Sequence, residues 1–257
     1  AFNNQISLDF DGLDDYVETN SNFQSTFQSN YTFSFWCKLD NTSSTQFFLS
    51  ANNGPSTDRV ACFLSGGRIA LFGTSNGKGT ASIFDTSGTT LSNWFHVVGR
   101  FEQSGSSVIK SLYVNGFKRA TATQSPMTLS EYGTVNSPVE VYVGARNLNG
   151  SSGFFTNGLI DEVAIFPSAL SDGGVSAGNS AANSAGGQVA TLYNGGVPGD
   201  ISSLNPVAWF RMGDSDGGSG DTITNAAPAS SSNNINASII NGTQGNTTPT
   251  YSSSVPS

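Results

Sequence analysis

The chain has 257 residues, enough for one large all-β domain or two small ones, and its 36% hydrophobic content with 18 Phe is too apolar for a disordered chain. Only 11% of residues are charged, and 18 acids against 10 Lys and Arg leave a net charge of −8, which makes nucleic acid and anionic membranes poor partners. No apolar run approaches the roughly 18 residues of a membrane-spanning helix, so no membrane insertion is expected. The chain begins at Ala1, and a removed leader, a pro-segment or simple trimming all remain open.

Periodicity of two dominates. Tyr31, Phe33, Phe35, Cys37 and Leu39 alternate with Thr32, Ser34, Trp36 and Lys38, which predicts a strand with one face in a core. The same rhythm recurs in Phe95/Val97/Phe101, in Leu112/Val114 and in Val139/Val141/Val143. Asn115-Gly116 suits a tight hairpin because both residues tolerate positive φ. Ser171 to Gly187 is rich in Gly, Ala, Ser and Asn and reads as a mobile surface loop. The single helix candidate, Gln188 to Tyr193, is stopped by Asn194-Gly195-Gly196. Val207 to Met212 and Ile235 to Ile240 resume strand patterning. Cys37 and Cys62 lack zinc-site spacing and read as buried free thiols or as one bridge.

Six segments in order resemble one family. Ser7-Leu8-Asp9-Phe10-Asp11-Gly12-Leu13-Asp14-Asp15-Tyr16-Val17 is similar to the opening of laminin-G-like, concanavalin A-like jelly-roll domains, and Thr32 to Lys38 to their next core strand. Leu91 to Val98 resembles their Trp-His strand, Leu112 to Gly116 their hairpin, and Val141 to Gly144 and Gly158 to Val163 their closing strands. Pentraxins share the plan. The resemblance implies an all-β, concanavalin A-like jelly-roll β-sandwich of two antiparallel sheets with at most one short helix. Residues 1–170 would form the core, 171–204 an insertion with the short helix, and 205–257 strands that complete the same sandwich; the start of a following repeat is the alternative for this last segment. The Ser/Asn/Thr-rich, Lys-poor composition is also similar to that of laminin-G-like proteins of marine phage virions.

Catalysis finds little support in the residues. His96 is the only histidine and lies in a strand beside Trp94 and Val98 with no nucleophile nearby in sequence, so it reads as structural. Hydrolases of the resembling fold carry carboxylates spaced E-x-D-x-x-E, which is absent here, and Asp161-Glu162 adjoin on a strand and should point to opposite faces.

Binding chemistry is better represented. Asp11, Asp14 and Asp15 crowd one turn that the resembling fold sets close to Asp161, and such hard oxygens suit a structural Ca²⁺, although aspartates also simply favour turns. The loop Asp214 to Asp221 reads as a flexible hairpin, since Asn225 stands where an EF-hand needs Glu. Trp36 on a polar strand face reads as covered by a crossing loop or as a ring free to stack on a sugar, and Arg146, Asn147 and Asn149 after Gly144 could hydrogen-bond a sugar. The reading is a non-enzymatic, lectin-like attachment module on a virion surface or outside a cell. Its partners would be a glycan, a cell-surface receptor or neighbouring virion or structural subunits. The alternatives are a decoration or fibre protein with an assembly role, and a glycoside hydrolase-like domain.

Overall fold

The computed structural model describes residues 2–53, 58–75, 78–131, 139–147, 151–228, 235–240 and 249–257. In chain order the strands are β1 (Ser7–Asp11), β2 (Tyr16–Thr19), β3 (Tyr31–Leu39), β4 (Gln46–Asn53), β5 (Asp58–Ser65) and β6 (Arg68–Ser75). They continue with β7 (Lys78–Asp85), β8 (Phe95–Ser104), β9 (Ser107–Val114), β10 (Phe117–Gln124), β11 (Val141–Val143) and β12 (Arg146–Asn147). The last six are β13 (Ser152–Gly153), β14 (Asn157–Phe166), β15 (Ala208–Phe210), β16 (Thr222–Ile223), β17 (Ala237–Ile240) and β18 (Thr250–Ser252). A one-turn helix α1 (Gln24–Phe27) precedes β3, and α2 (Gly187–Tyr193) lies after β14.

Sixteen of these strands make two antiparallel sheets packed face to face, and β12 and β13 pair with each other. The first runs β10-β9-β8-β3-β14-β1-β18, with β15 also on β14; the second runs β16-β17-β2-β11-β4-β5-β6-β7. Inward-phase residues such as Phe33, Phe35, Cys37, Phe48, Leu71 and Phe95 meet in one core between the sheets. Cys37 and Cys62 are free thiols within it, and burial pushes both pKa values up. The fully buried Lys110 reaches across this core from the first sheet and donates through Nζ to the carbonyls of Gly73 (3.1 Å) and Thr80 (2.7 Å) in the second.

The tail is woven into both sheets. Leu8 pairs with Tyr251, Val17 with Ile239 and Ala164 with Trp209. Val207, Trp209, Phe210 and Ile239 are buried, whereas Ile235 stays 48% exposed. The expected flexible hairpin after Asp214 has carboxylate anchors: Asp214 accepts the Gln5 amide at 3.0 Å and Asp216 the Thr224 amide at 2.9 Å.

Two expectations change on the outer face of the first sheet. The polar side of β3 is buried, because residues 170–204 fold down over it and enclose Val98, Tyr113, Phe166, Val189 and Leu192 in a second apolar cluster. The Gly/Ser-rich stretch read as a mobile loop is tied down there. Tyr113 donates its hydroxyl to Asp172 at 2.6 Å, Lys118 pairs with the same carboxylate at 2.9 Å, and the amides of Gly178 and Ala185 bond the carbonyls of Lys118 and Gly116. A segment without bulky side chains gains order from backbone pairing and one buried ion pair.

Candidate functional site

The outer face of the second sheet carries aromatic residues that the sequence reading passed over. Alternation in β5 sends Cys62 and Leu64 inward and Phe63 outward, and in β4 it leaves Phe47 outward beside the inward Phe48. Phe47 and Phe63 are opposite in register and stack with ring centroids 4.6 Å apart. The hairpin of β12 and β13 stands over this face, and the segment after it places Phe154 with its centroid 5.8 Å from Phe47. Arg146 lies beside both rings, its guanidinium carbon 5.7 Å from the Phe47 centroid and 5.5 Å from that of Phe154. Thr45, Phe47, Phe63, Phe72, Arg146 and Phe154 line an open slot of about 260 Å³, in which Arg146 is the only charged residue among the described residues.

The hairpin is fixed from below. Ser50 donates its hydroxyl to the Ala145 carbonyl at 2.9 Å and accepts the Asn147 amide at 2.6 Å. Asn147 is therefore a buried clip, 4% exposed, and not the exposed ligand-facing amide expected from the loop. Asn149 lies outside the described residues. Trp36 is not free to stack on a sugar either. It is 3% exposed and packed between His96 (4.8 Å) and Tyr193 of α2 (5.9 Å), because the insertion crosses over its strand face. His96 beside it is buried, which pushes its pKa down to about 3 and keeps it neutral.

At the same end of the sandwich, oxygens of Asp11, Asp14 and Asp15 lie within 4.8 Å of one another. Two of these carboxylates shape the turn: Asp11 accepts the Leu13 amide at 2.8 Å, and Asp15 accepts the Asp11 amide at 3.2 Å. Asp15 is 1% exposed, and its other oxygen is buried without a hydrogen-bond donor. Burial, and then the charges of Asp11 and Asp14, push its pKa up to about 7 against the relief given by the Asp11 amide. Asn157 donates Nδ2 to the Asp11 carbonyl at 2.7 Å, so the turn and the slot are joined through the short segment from Phe154 to Asn157.

Asp161 does not join this cluster. The register sets Asp11 opposite Asn157, and four residues of strand put Asp161 roughly 13 Å further along. A bulge interrupts β14 there: Glu162 takes φ 50°, β1 pairs before it and β15 after it. The bulge also overturns the expected alternation, since both carboxylates interact with Asp214. Glu162 accepts Trp209 Nε1 at 2.5 Å and Arg211 Nε at 2.9 Å, while Asp161 accepts the Asn4 side-chain amide at 3.0 Å and the Glu162 amide at 2.8 Å. Burial and the Glu162 charge raise the Asp161 pKa, and burial also raises that of Glu162, to about 7, against the pull of Arg211. Because the folded pKa of Asp161 is raised, this group costs stability as pH climbs above its unfolded value of about 3.9. Asp161→Asn is expected to be near neutral at pH 3.5 and increasingly stabilising towards pH 8 in urea melts; a loss at pH 8 would mean that the ionised carboxylate is needed.

A family model described as the concanavalin A-like lectin/glucanases superfamily matches residues 10–176. No curated protein matches the sequence. Among solved structures, the CBM40 domain of the Ruminococcus gnavus IT-sialidase bound to α2,3-sialyllactose is 14% identical at a TM-score of 0.48, over 63% of this chain and 92% of that one. Domains LG4-5 of the mouse laminin α1 chain are 12% identical at a TM-score of 0.48, over 63% of this chain and 42% of theirs. With the family match spanning well over half of its residues, the chain belongs to the concanavalin A-like lectin/glucanases superfamily.

Proposed function

We propose that this domain is a non-enzymatic glycan-binding module that attaches its bearer, a virion or an extracellular structure, to acidic cell-surface glycans. The observation that carries the reading is the slot around Arg146. Phenyl rings suit the apolar face of a sugar ring, and a guanidinium beside them suits a carboxylate, through paired charge-assisted hydrogen bonds. Support for a non-enzymatic role comes from the acids. Asp161 and Glu162 are buried and bonded to Asn4, Trp209 and Arg211, and the space shared by Glu162, Trp36 and His96 is about 10 Å³, room for one water and no substrate.

On an array of neutral and acidic glycans, retention of acidic members such as α2,3-sialyllactose is expected. Arg146→Ala should lower their affinity by about tenfold or more, a charge-assisted pair being worth roughly 1.5 to 3 kcal/mol. Retention of none, or equal retention by the variant, defeats the reading.

The acidic turn supports a structural Ca²⁺ held by Asp11, Asp14 and Asp15, and the buried Asp15 oxygen without a donor fits such an ion. Calcium at a hundredfold excess over Kd should add about 2.7 kcal/mol to stability. The gain should be larger at pH 8 than at pH 6, where a proton on Asp15 competes. Melts that coincide in calcium and in chelator would leave the aspartates as turn formers.

A further inference from the structure

The aromatic surface does not stop at the slot. Phe154 and Phe155 are consecutive and fork: Phe154 leans over Phe47, while the Phe155 ring lies 6.5 Å from Tyr16, which stacks on Tyr142 at 4.7 Å. Tyr16 and Glu18 share the outward phase of β2, and Tyr142 lies opposite Glu18 in register, so Glu140 falls on the same face as a diagonal neighbour of Glu18. Tyr16, Tyr142, Glu18 and Glu140 are thus polar neighbours on one stretch of this face. Tyr16, Glu18, Glu140 and Phe155 are partly exposed. No sheet-stabilising pairing calls for two glutamates in contact, since like charges on adjacent strands repel.

We propose that Tyr16, Phe155 and the Glu18–Glu140 pair form a second subsite of the same binding face, so that the ligand is an oligosaccharide with its acidic sugar at Arg146 and neutral sugars running to the glutamates. The inference rests on the glycan reading of the slot and adds to it a direction and a length. Strand β11 separates β4 from β2, so the two subsites are about 10 Å apart, a span for a di- or trisaccharide. The ends differ in chemistry. Arg146 takes an anion, whereas the glutamates repel one and accept hydrogen bonds from hydroxyls. Burial and the neighbouring Glu18 push the Glu140 pKa up to about 7, so a protonated Glu140 can also donate one hydrogen bond.

Calorimetry with N-acetylneuraminic acid and with α2,3-sialyllactose tests the inference in four proteins: the wild type, Tyr16→Ala, Tyr16→Phe and Glu140→Ala. The wild type should bind the trisaccharide about tenfold more tightly than the free acid. Tyr16→Ala and Glu140→Ala should erase that difference and leave the free-acid affinity unchanged, while Tyr16→Phe keeps most of it. Equal affinity of the wild type for both sugars, or variants that weaken both equally, overturns the second subsite and spares the slot. If neither sugar binds the wild type, the acidic-glycan reading itself fails.

Discussion

Trp209→Ala should cost about 3 to 5 kcal/mol of folding stability, the range for truncating a buried indole. Trp209 is 5% exposed on β15, packs in the apolar cluster under residues 170–204 and donates Nε1 to Glu162 at 2.5 Å. Its removal opens a void beside Ala164 and Phe166 and strips one of two side-chain donors from a buried carboxylate, leaving Arg211 at 2.9 Å. Trp209→Phe separates the contributions: it keeps most of the packing and should lose about 1 to 3 kcal/mol for the missing donor. Urea denaturation followed by circular dichroism reads both. A change below about 1 kcal/mol for the alanine variant would mean that β15 adds little to the sandwich and that the tail is dispensable.

Gly158→Ala should be damaging for a different reason. Gly158 opens β14 at φ 137°, and a Cβ there would lie 2.2 Å from the Lys38 carbonyl oxygen and 2.9 Å from the Leu39 Cα. Both obstacles are backbone, so no side chain can swing aside, and β3 and β14 would have to separate at the centre of the first sheet. The expected loss is about 3 kcal/mol or more, from overpacking together with the strained φ. The adjoining Asn157 holds the Asp11 carbonyl, so the calcium-dependent part of the stability should shrink with it. A midpoint within error of the wild type in the same urea titration would show that the strands part at no cost.

Local chemistry determined what was legible in the sequence by itself. The period-two run from Tyr31 to Leu39 marked a core strand because inward positions must be apolar wherever two sheets face each other. Asn115 and Gly116 turned a hairpin at φ 51° and 76°, and Asn194 and Gly195 ended α2 at φ 47° and 69°, because these residues enter the left-handed region cheaply. The turn of Asp11, Asp14 and Asp15 was visible because its members are close in sequence. Arg146 was legible as a sugar-binding candidate in the loop after Gly144, but its aromatic neighbours were not.

Only the tertiary structure decided the rest. The Phe residues around Arg146 come from β4, β5, β6 and the segment before β14, and no local pattern tells an outward Phe in a binding face from one covered by another segment. Trp36 is the converse case: its strand phase pointed outward, but residues 170–204 cover it. The separation of Asp161 from the acidic turn follows from strand register, and its approach to Glu162 from a bulge with positive φ at a glutamate, which propensity argues against. Each of these depends on which distant segment packs against which face, a choice set by the burial and pairing of the whole chain and by no local stretch of it.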